Sequence, residues 1–142
     1  MDIFFSGSIR GGRDDAALYR EVIDMLGAYG DVLTEHVGAE DVEAKEAAVG
    51  LSDEDIYQQD VAWLRQADVV VAEVTTPSLG VGYELGRAVA RGTPVLCLYR
   101  PSGDHELSAM VRGNDDVTVE EYAEPAELEP VLAKFFDRHG GV

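Results

Sequence analysis

The run Val69-Val70-Val71-Ala72, followed by Pro77-Ser78-Leu79-Gly80-Val81-Gly82-Tyr83-Glu84, decides the fold class of this chain. Four consecutive apolar residues predict a strand buried on both faces. Beyond the glycines, Leu85, Ala88 and Val89 recur on one face of a helix. A serine, two glycines and a carboxylate therefore stand at the carboxyl end of a strand, where open α/β sheets bind ligands. Glycines there admit a ligand close to the backbone, and the helix N-terminus offers N–H groups and a positive dipole end to a phosphate. Glu84 falls about 5–10 Å along the helix from Ser78. That spacing suits a molecule with a phosphate at one end and a reacting carbon nearby, although a glutamate that only meets the helix dipole has the same signature.

Strands and helices alternate on either side of this unit. The first strand is expected at Asp2–Ser6 and a helix at Asp14–Tyr29, with Leu18, Val22, Met25 and Leu26 on its stripe and Gly30 as its stop. A short strand at Asp31–Thr34 follows. The acidic, alanine-rich segment Gly38–Leu51 has weak periodicity and reads as a mobile loop or marginal helix. Ser52 with Asp55 resembles a capping box that opens a helix to about Ala67, with Ile56, Val61 and Leu64 on its buried stripe. Further strands are expected at Asp68–Glu73, Pro94–Tyr99 and Val117–Glu121. Helices are expected at Leu79–Arg91 and Ala126–Asp137, with an irregular stretch at Arg100–Gly113 and a loose Gly140-Gly141 tail. This alternation predicts an α/β fold: one domain over residues 1–142, a doubly wound parallel five-stranded sheet of flavodoxin or Rossmann type.

Composition narrows the function classes. The 142 residues are 46% hydrophobic, enough for a real core, and hold no run of roughly 20 apolar residues. Met1-Asp2-Ile3-Phe4 lacks the basic flank of a signal peptide. The single cysteine, Cys97, lies in the apolar run Val95–Tyr99 and reads as a small core hydrophobe. No disulfide or cysteine–histidine metal cluster can form, and a cytoplasmic location is expected. The net charge of −17, from 28 acidic and 11 basic residues, argues against DNA or RNA as a partner. Only Lys45 and Lys134 are lysines, so the surface is of the halophile type, or that of an ordinary acidic protein.

A second candidate loop, Gly7-Ser8-Ile9-Arg10-Gly11-Gly12-Arg13, joins the first strand to the first helix. Its glycines allow tight turns, Ser8 offers a hydroxyl, and Arg10 or Arg13 can meet a phosphate with two parallel hydrogen bonds. It has neither the Gly-Lys-Ser/Thr ending of a Walker loop nor the three-glycine dinucleotide spacing. Asp60 is an aspartate in mid-helix, a poor position by propensity. It reads as a carboxylate aimed at a sugar or leaving group, or as a surface partner of Arg65. His36 stands at the rim of the second strand, where a ligand contact is favoured, although a lone histidine is more often incidental. Tyr19 fits core packing and ligand contact equally, and Trp63 reads most simply as core. The apolar patch Leu107–Gly113 reads as a cover over the site or a contact with a second subunit.

Several of these segments, in order, resemble one family: Gly-Ser-Ile-Arg-Gly-Gly-Arg at 7–13, Leu-Thr-Glu-His at 33–36, Gln-Ala-Asp-Val-Val-Val-Ala-Glu-Val-Thr at 66–75, Pro-Ser-Leu-Gly-Val-Gly-Tyr-Glu-Leu-Gly-Arg-Ala at 77–88 and Leu-Ser-Ala-Met at 107–110. The chain resembles the 2′-deoxynucleoside 5′-phosphate N-hydrolases of the nucleoside 2-deoxyribosyltransferase superfamily over nearly its whole length. The resemblance implies cleavage of the N-glycosidic bond of a deoxynucleoside 5′-monophosphate, without metal or cofactor. It implies Glu84 as the nucleophile and Asp60 as a carboxylate that places it or assists the leaving base. Ser8, Ile9, Arg10 and Gly11 match the phosphate loop, with Gly7, Gly12 and Arg13 beside them, and Ser78 and Gly80 match its second wall. His36 matches a residue beside the substrate. Ser108, flanked by Ala109 and Met110, matches a serine that reaches the phosphate from a second subunit, so a homodimer is implied.

The phosphate loop speaks against a deoxyribosyltransferase acting on unphosphorylated nucleosides, and the retained carboxylates against a sensor without turnover. In one place the chain departs from the family: Phe4-Phe5-Ser6-Gly7 stands where the family has Tyr-Phe-Cys-Gly. The hydroxyl missing at Phe4 implies slower turnover or a substitute group. Segment 38–51 also differs in composition, which leaves base preference open.

Overall fold

A computed structural model of the chain describes residues 1–8, 16–38, 50–101 and 104–139. Strands β1 (Asp2–Ser6), β2 (Asp31–Val32), β3 (Val69–Glu73), β4 (Val95–Tyr99) and β5 (Val117–Glu121) form one sheet in the order β2-β1-β3-β4-β5. All four pairings are parallel, with Ser6 opposite Ala72 and Ala72 opposite Cys97. The chain moves outward from β1 to β2 and then returns past β1 to β3. The strand order therefore reverses between β1 and β3, which opens a crevice at their carboxyl ends. This is the doubly wound sheet expected from the alternation of elements.

The helices are α1 (Ala16–Leu26), α2 (Asp53–Gln66), α3 (Leu79–Ala90), the single turn α4 (Ala109–Arg112) and α5 (Leu128–His139). Successive strand residues face opposite sides of the sheet, and each side has its own core. On one side Ile3, Phe5, Val71, Leu96 and Leu98 pack against Tyr19, Val22 and Leu26 of α1 and Leu128, Leu132 and Phe136 of α5. On the other, Phe4, Val70, Ala72, Val95 and Cys97 pack against Leu64 of α2 and Val81, Leu85 and Ala88 of α3. Full burial of such Leu, Val and Phe side chains contributes roughly 1.5–3 kcal/mol each. Cys97 is buried in this second core, where desolvation pushes its thiol up to about 12.

Local signals set most boundaries. Ser52 Oγ accepts the amide of Asp55 at 3.1 Å and Asp55 accepts the amide of Ser52 at 3.1 Å, so the expected capping box opens α2. Helix α3 gives way at Gly92, whose φ of +78° suits glycine. Four expectations need adjustment. Strand β2 stops at Val32 because Thr34 replaces the ladder with its side chain: Oγ1 accepts Phe5 N at 2.9 Å and donates to Phe5 O at 2.6 Å. A 3₁₀ turn then carries Glu35–Gly38 over the crevice. The last helix begins at Leu128 after a 3₁₀ turn at Pro125–Glu127, and the irregular stretch before β5 contains α4. Ile56 is only half-buried. The expectations for 9–15, 39–49 and the Gly140-Gly141 tail fall outside the described residues.

Candidate active site

Glu84 lies in the second turn of α3, six residues after Ser78, the N-cap of that helix. Leu85 and Ala88 anchor α3 on the sheet and so turn Glu84 toward the carboxyl end of β1. There Ser6 Oγ donates to Glu84 Oε1 at 2.6 Å. Asp60 reaches the same carboxyl from α2, within hydrogen-bonding distance. Val61 and Leu64 hold that helix down. Two carboxyls in contact in a partly desolvated crevice cannot both ionise cheaply. Burial first, and then the Asp60 carboxyl, push Glu84 up to about 9, opposed by the Ser6 hydroxyl.

Ser78 accepts the amide of Val81 at 3.3 Å. The cap uses a lone pair of the hydroxyl and leaves its O–H to donate to an anion at the helix N-terminus. Gly80 is exposed two residues along, and a Cβ there would meet only Ser78 Oγ, at 3.9 Å. Across the crevice, Gly7 and Ser8 leave β1. A Cβ on Gly7 would stand 2.9 Å from the Tyr19 ring, so only glycine lets the chain pass. Tyr19 is fully buried and its hydroxyl accepts Ser8 N at 3.1 Å. Of its two readings the structure displays core packing, with the hydroxyl steadying the start of the candidate phosphate loop. Ile9, Arg10, Gly11, Gly12 and Arg13 lie outside the described residues.

His36 is half-buried, with its ring 5.4 Å from that of Trp63. Trp63 is also half-buried: it packs against the α2/α3 core, as expected, and in addition lines the cleft with His36. Ser108 caps α4 by accepting Met110 N at 3.1 Å, and Ser108, Ala109 and Met110 are exposed on the far side of the cleft. The cleft encloses about 1430 Å³ and joins Gly7, His36, Asp60, Ser78, Glu84 and Ser108 along one lining. Thus Glu84, Asp60, Ser78, Gly80 and His36 share one crevice, while Ser108 and Met110 stand at its outer rim.

Sequence reasoning missed Ser6. Its signal was a polar residue ending the otherwise apolar Ile3-Phe4-Phe5, on the face that alternation shares with Phe4. Phe4 itself is fully buried in the α2/α3 core. The hydroxyl that meets Glu84 thus comes from two residues further along the same strand face.

Comparison with known proteins agrees with this architecture. The family model described as nucleoside 2-deoxyribosyltransferase matches residues 3–128. A Mus musculus protein named 5-hydroxymethyl-dUMP N-hydrolase is 54% identical over 140 residues, covering 96% of this chain and 80% of its own. A Rattus norvegicus protein of the same name is 55% identical over 142 residues, covering 96% and 85%. The structure of Clostridium botulinum CMP N-glycosidase, BcmB, shares the fold at a TM-score of 0.67 and 17% identity, over 95% of this chain and 99% of that one. The chain belongs to the nucleoside 2-deoxyribosyltransferase family.

Proposed function

We propose that the chain hydrolyses the N-glycosidic bond of a 2′-deoxynucleoside 5′-monophosphate, releasing the free base and 2-deoxyribose 5-phosphate, with Glu84 as nucleophile. The observation that carries this reading is the carboxyl pair of Glu84 and Asp60, set one and a half turns from an anion-ready helix N-terminus. A Glu84 oxygen attacks C1′ as the bond from C1′ to the base nitrogen breaks. The bonding electrons leave with the base, and Asp60 supplies it a proton. Water then attacks C1′, its proton passes to Asp60, and the Glu84–C1′ bond breaks to restore the carboxylate. Inverting glycosidases separate their carboxyls by about 6.5–9.5 Å to seat a water. A pair in direct contact favours the two-step route instead.

Ser6 opposes the upward shift of Glu84: its hydroxyl donates to Oε1 and so favours the ionised, attacking form of the carboxyl. The 5′-phosphate belongs against the α3 N-terminus, with the Ser78 hydroxyl and the open face at Gly80 on one side and Gly7 and Ser8 on the other. His36 and Trp63 offer ring faces for the base. The names of the mouse and rat relatives make 5-hydroxymethyl-dUMP the first substrate to test.

The catalytic unit is a homodimer in this reading. Leu79 is 96% exposed and Met110 82%, with Tyr57 and Tyr83 also exposed beside them. Gly82 and Gly86 leave α3 open to close approach, at a cost of about 0.5–1 kcal/mol each against alanine. The cleft also exceeds the roughly 300–1,000 Å³ of ordinary ligand pockets. A second copy seated on this face would supply its Ser108 to the phosphate. The activity is tested by chromatography of each deoxynucleoside monophosphate after incubation with the wild type and with Glu84→Ala. Base release by the wild type alone is expected, whereas equal release by both would remove Glu84 from the chemistry.

A further inference from the structure

One buried carboxylate takes no part in this chemistry. Glu73 ends β3 on the face opposite Glu84 and is fully buried. The four residues before it, Val69-Val70-Val71-Ala72, are all apolar. A buried charge is costly unless hydrogen bonds satisfy it, and apolar side chains of like volume often serve stability as well or better. Glu73 is satisfied in a directional way. Oε1 accepts Thr75 N at 2.7 Å, and Oε2 accepts Thr75 Oγ1 at 2.9 Å and the Tyr122 hydroxyl. Thr75 Oγ1 in turn accepts Arg100 N at 2.9 Å. Tyr122 follows β5 and Arg100 follows β4, so the carboxylate ties the ends of three strands to one bend.

That bend runs from Val74 to Thr76 and delivers Pro77 and Ser78 to the start of α3. Thr75 and Thr76 are buried, and Val74, Thr76 and Ser78 line the cleft. We infer that Glu73, with Tyr122, is a positioning residue that fixes the β3–α3 bend so that Ser78 and the first α3 amides meet the substrate phosphate. This rests on the hydrolase reading of the site and adds to it a residue that touches neither substrate nor the carboxyl pair. A residue that only held the core together would affect thermal stability alone. A positioning residue affects recognition of the phosphate while leaving bond cleavage intact.

The test compares the wild type with Glu73→Gln and Tyr122→Phe. Titration calorimetry with 2-deoxyribose 5-phosphate and steady-state kinetics on the deoxynucleoside monophosphate are the readouts. Loss of one ordinary hydrogen bond at the bend predicts a Kd and KM about fivefold to tenfold higher for Glu73→Gln, with kcat within about twofold. Tyr122→Phe, which removes the tyrosine donor and keeps the Glu73 carboxyl with its bonds to Thr75, is expected to raise both by a smaller factor and carries the test alone if Glu73→Gln does not fold. Kd and KM within twofold of the wild type in the folded variants, or a fall in kcat at unchanged KM, overturns the inference. A wild type that binds the sugar phosphate yet releases no base overturns the hydrolase reading and leaves the calorimetric comparison to decide the role of Glu73.

Discussion

Replacing Ser6 with alanine removes a single hydroxyl that is 2% exposed and hydrogen-bonded to Glu84 at 2.6 Å. A hydrogen bond to an ionised group is worth about 1.5–3 kcal/mol. The substrate does not reach this hydroxyl in the proposed pose, so binding is spared. The loss falls on the state in which Glu84 is ionised. The expected result is a kcat lower by about 10- to 150-fold with KM changed by less than about threefold. The pH profile provides a second readout. With Glu84 near 9 in the free enzyme and its ionised form the nucleophile, kcat/KM of the wild type is expected to rise with pH toward about 9. Without the Ser6 donor the ionised form is less favoured, and this rising limb moves up by about 1–2 pH units. Steady-state kinetics across pH 5–11, with circular dichroism to confirm folding, measure both effects. A kcat within twofold of the wild type and an unmoved limb would refute the coupling of Ser6 to Glu84.

Three further outcomes follow from the same geometry. Glu84 is raised from an ordinary 4.5 to about 9, so its contribution to stability is fully present below about pH 4.5 and is lost as pH rises toward 9. Glu84→Gln is therefore expected to be inactive yet more stable than the wild type at pH 8, by about 1–3 kcal/mol or roughly 3–10 °C in Tm, and the gap should close near pH 4.5 on differential scanning calorimetry. Phe4→Tyr adds a hydroxyl to a ring fully buried in the α2/α3 core while Ser6 already occupies Glu84; we expect a loss of about 1–3 kcal/mol in chemical denaturation and a kcat within about threefold of the wild type. Met110→Asp puts a charge on the exposed apolar rim; light scattering should report a monomer, and activity at low protein concentration should fall at least about tenfold. A wild type that is monomeric and fully active would remove the second copy from the site.

The sheet was legible because parallel strands buried on both faces are written as unbroken apolar runs. Val69–Glu73 and Val95–Tyr99 are buried at every position. Helix α2 announced itself through Ser52 and Asp55, whose reciprocal bonds depend only on residues three apart. Strand β2 was harder, since Thr34 ends it by bonding with its side chain to Phe5, 29 positions away. Ser78, Gly80 and Glu84 were readable together because one strand-to-helix turn carries all three. The contact of Asp60 with Glu84 crosses two helices, and no spacing along the chain encodes it. Ser6 escaped notice because a serine before a glycine reads as the start of a turn. The cleft role of Trp63 did so for the opposite reason: a large apolar residue on a helix is taken as core, and here it also forms half of a cleft wall with His36. Glu73 looked like a strand end because its partners Thr75 and Tyr122 lie on a bend and beyond another strand.

The central claim is that Glu84 forms a bond to the anomeric carbon before water arrives. Turnover of a β-configured deoxynucleoside monophosphate in aqueous methanol tests it directly, because methanol competes with water for any intermediate. The account predicts methyl 2-deoxyriboside 5-phosphate in the β configuration by NMR, the outcome of two successive inversions at C1′. The α anomer from the same reaction would show a single direct displacement and contradict it.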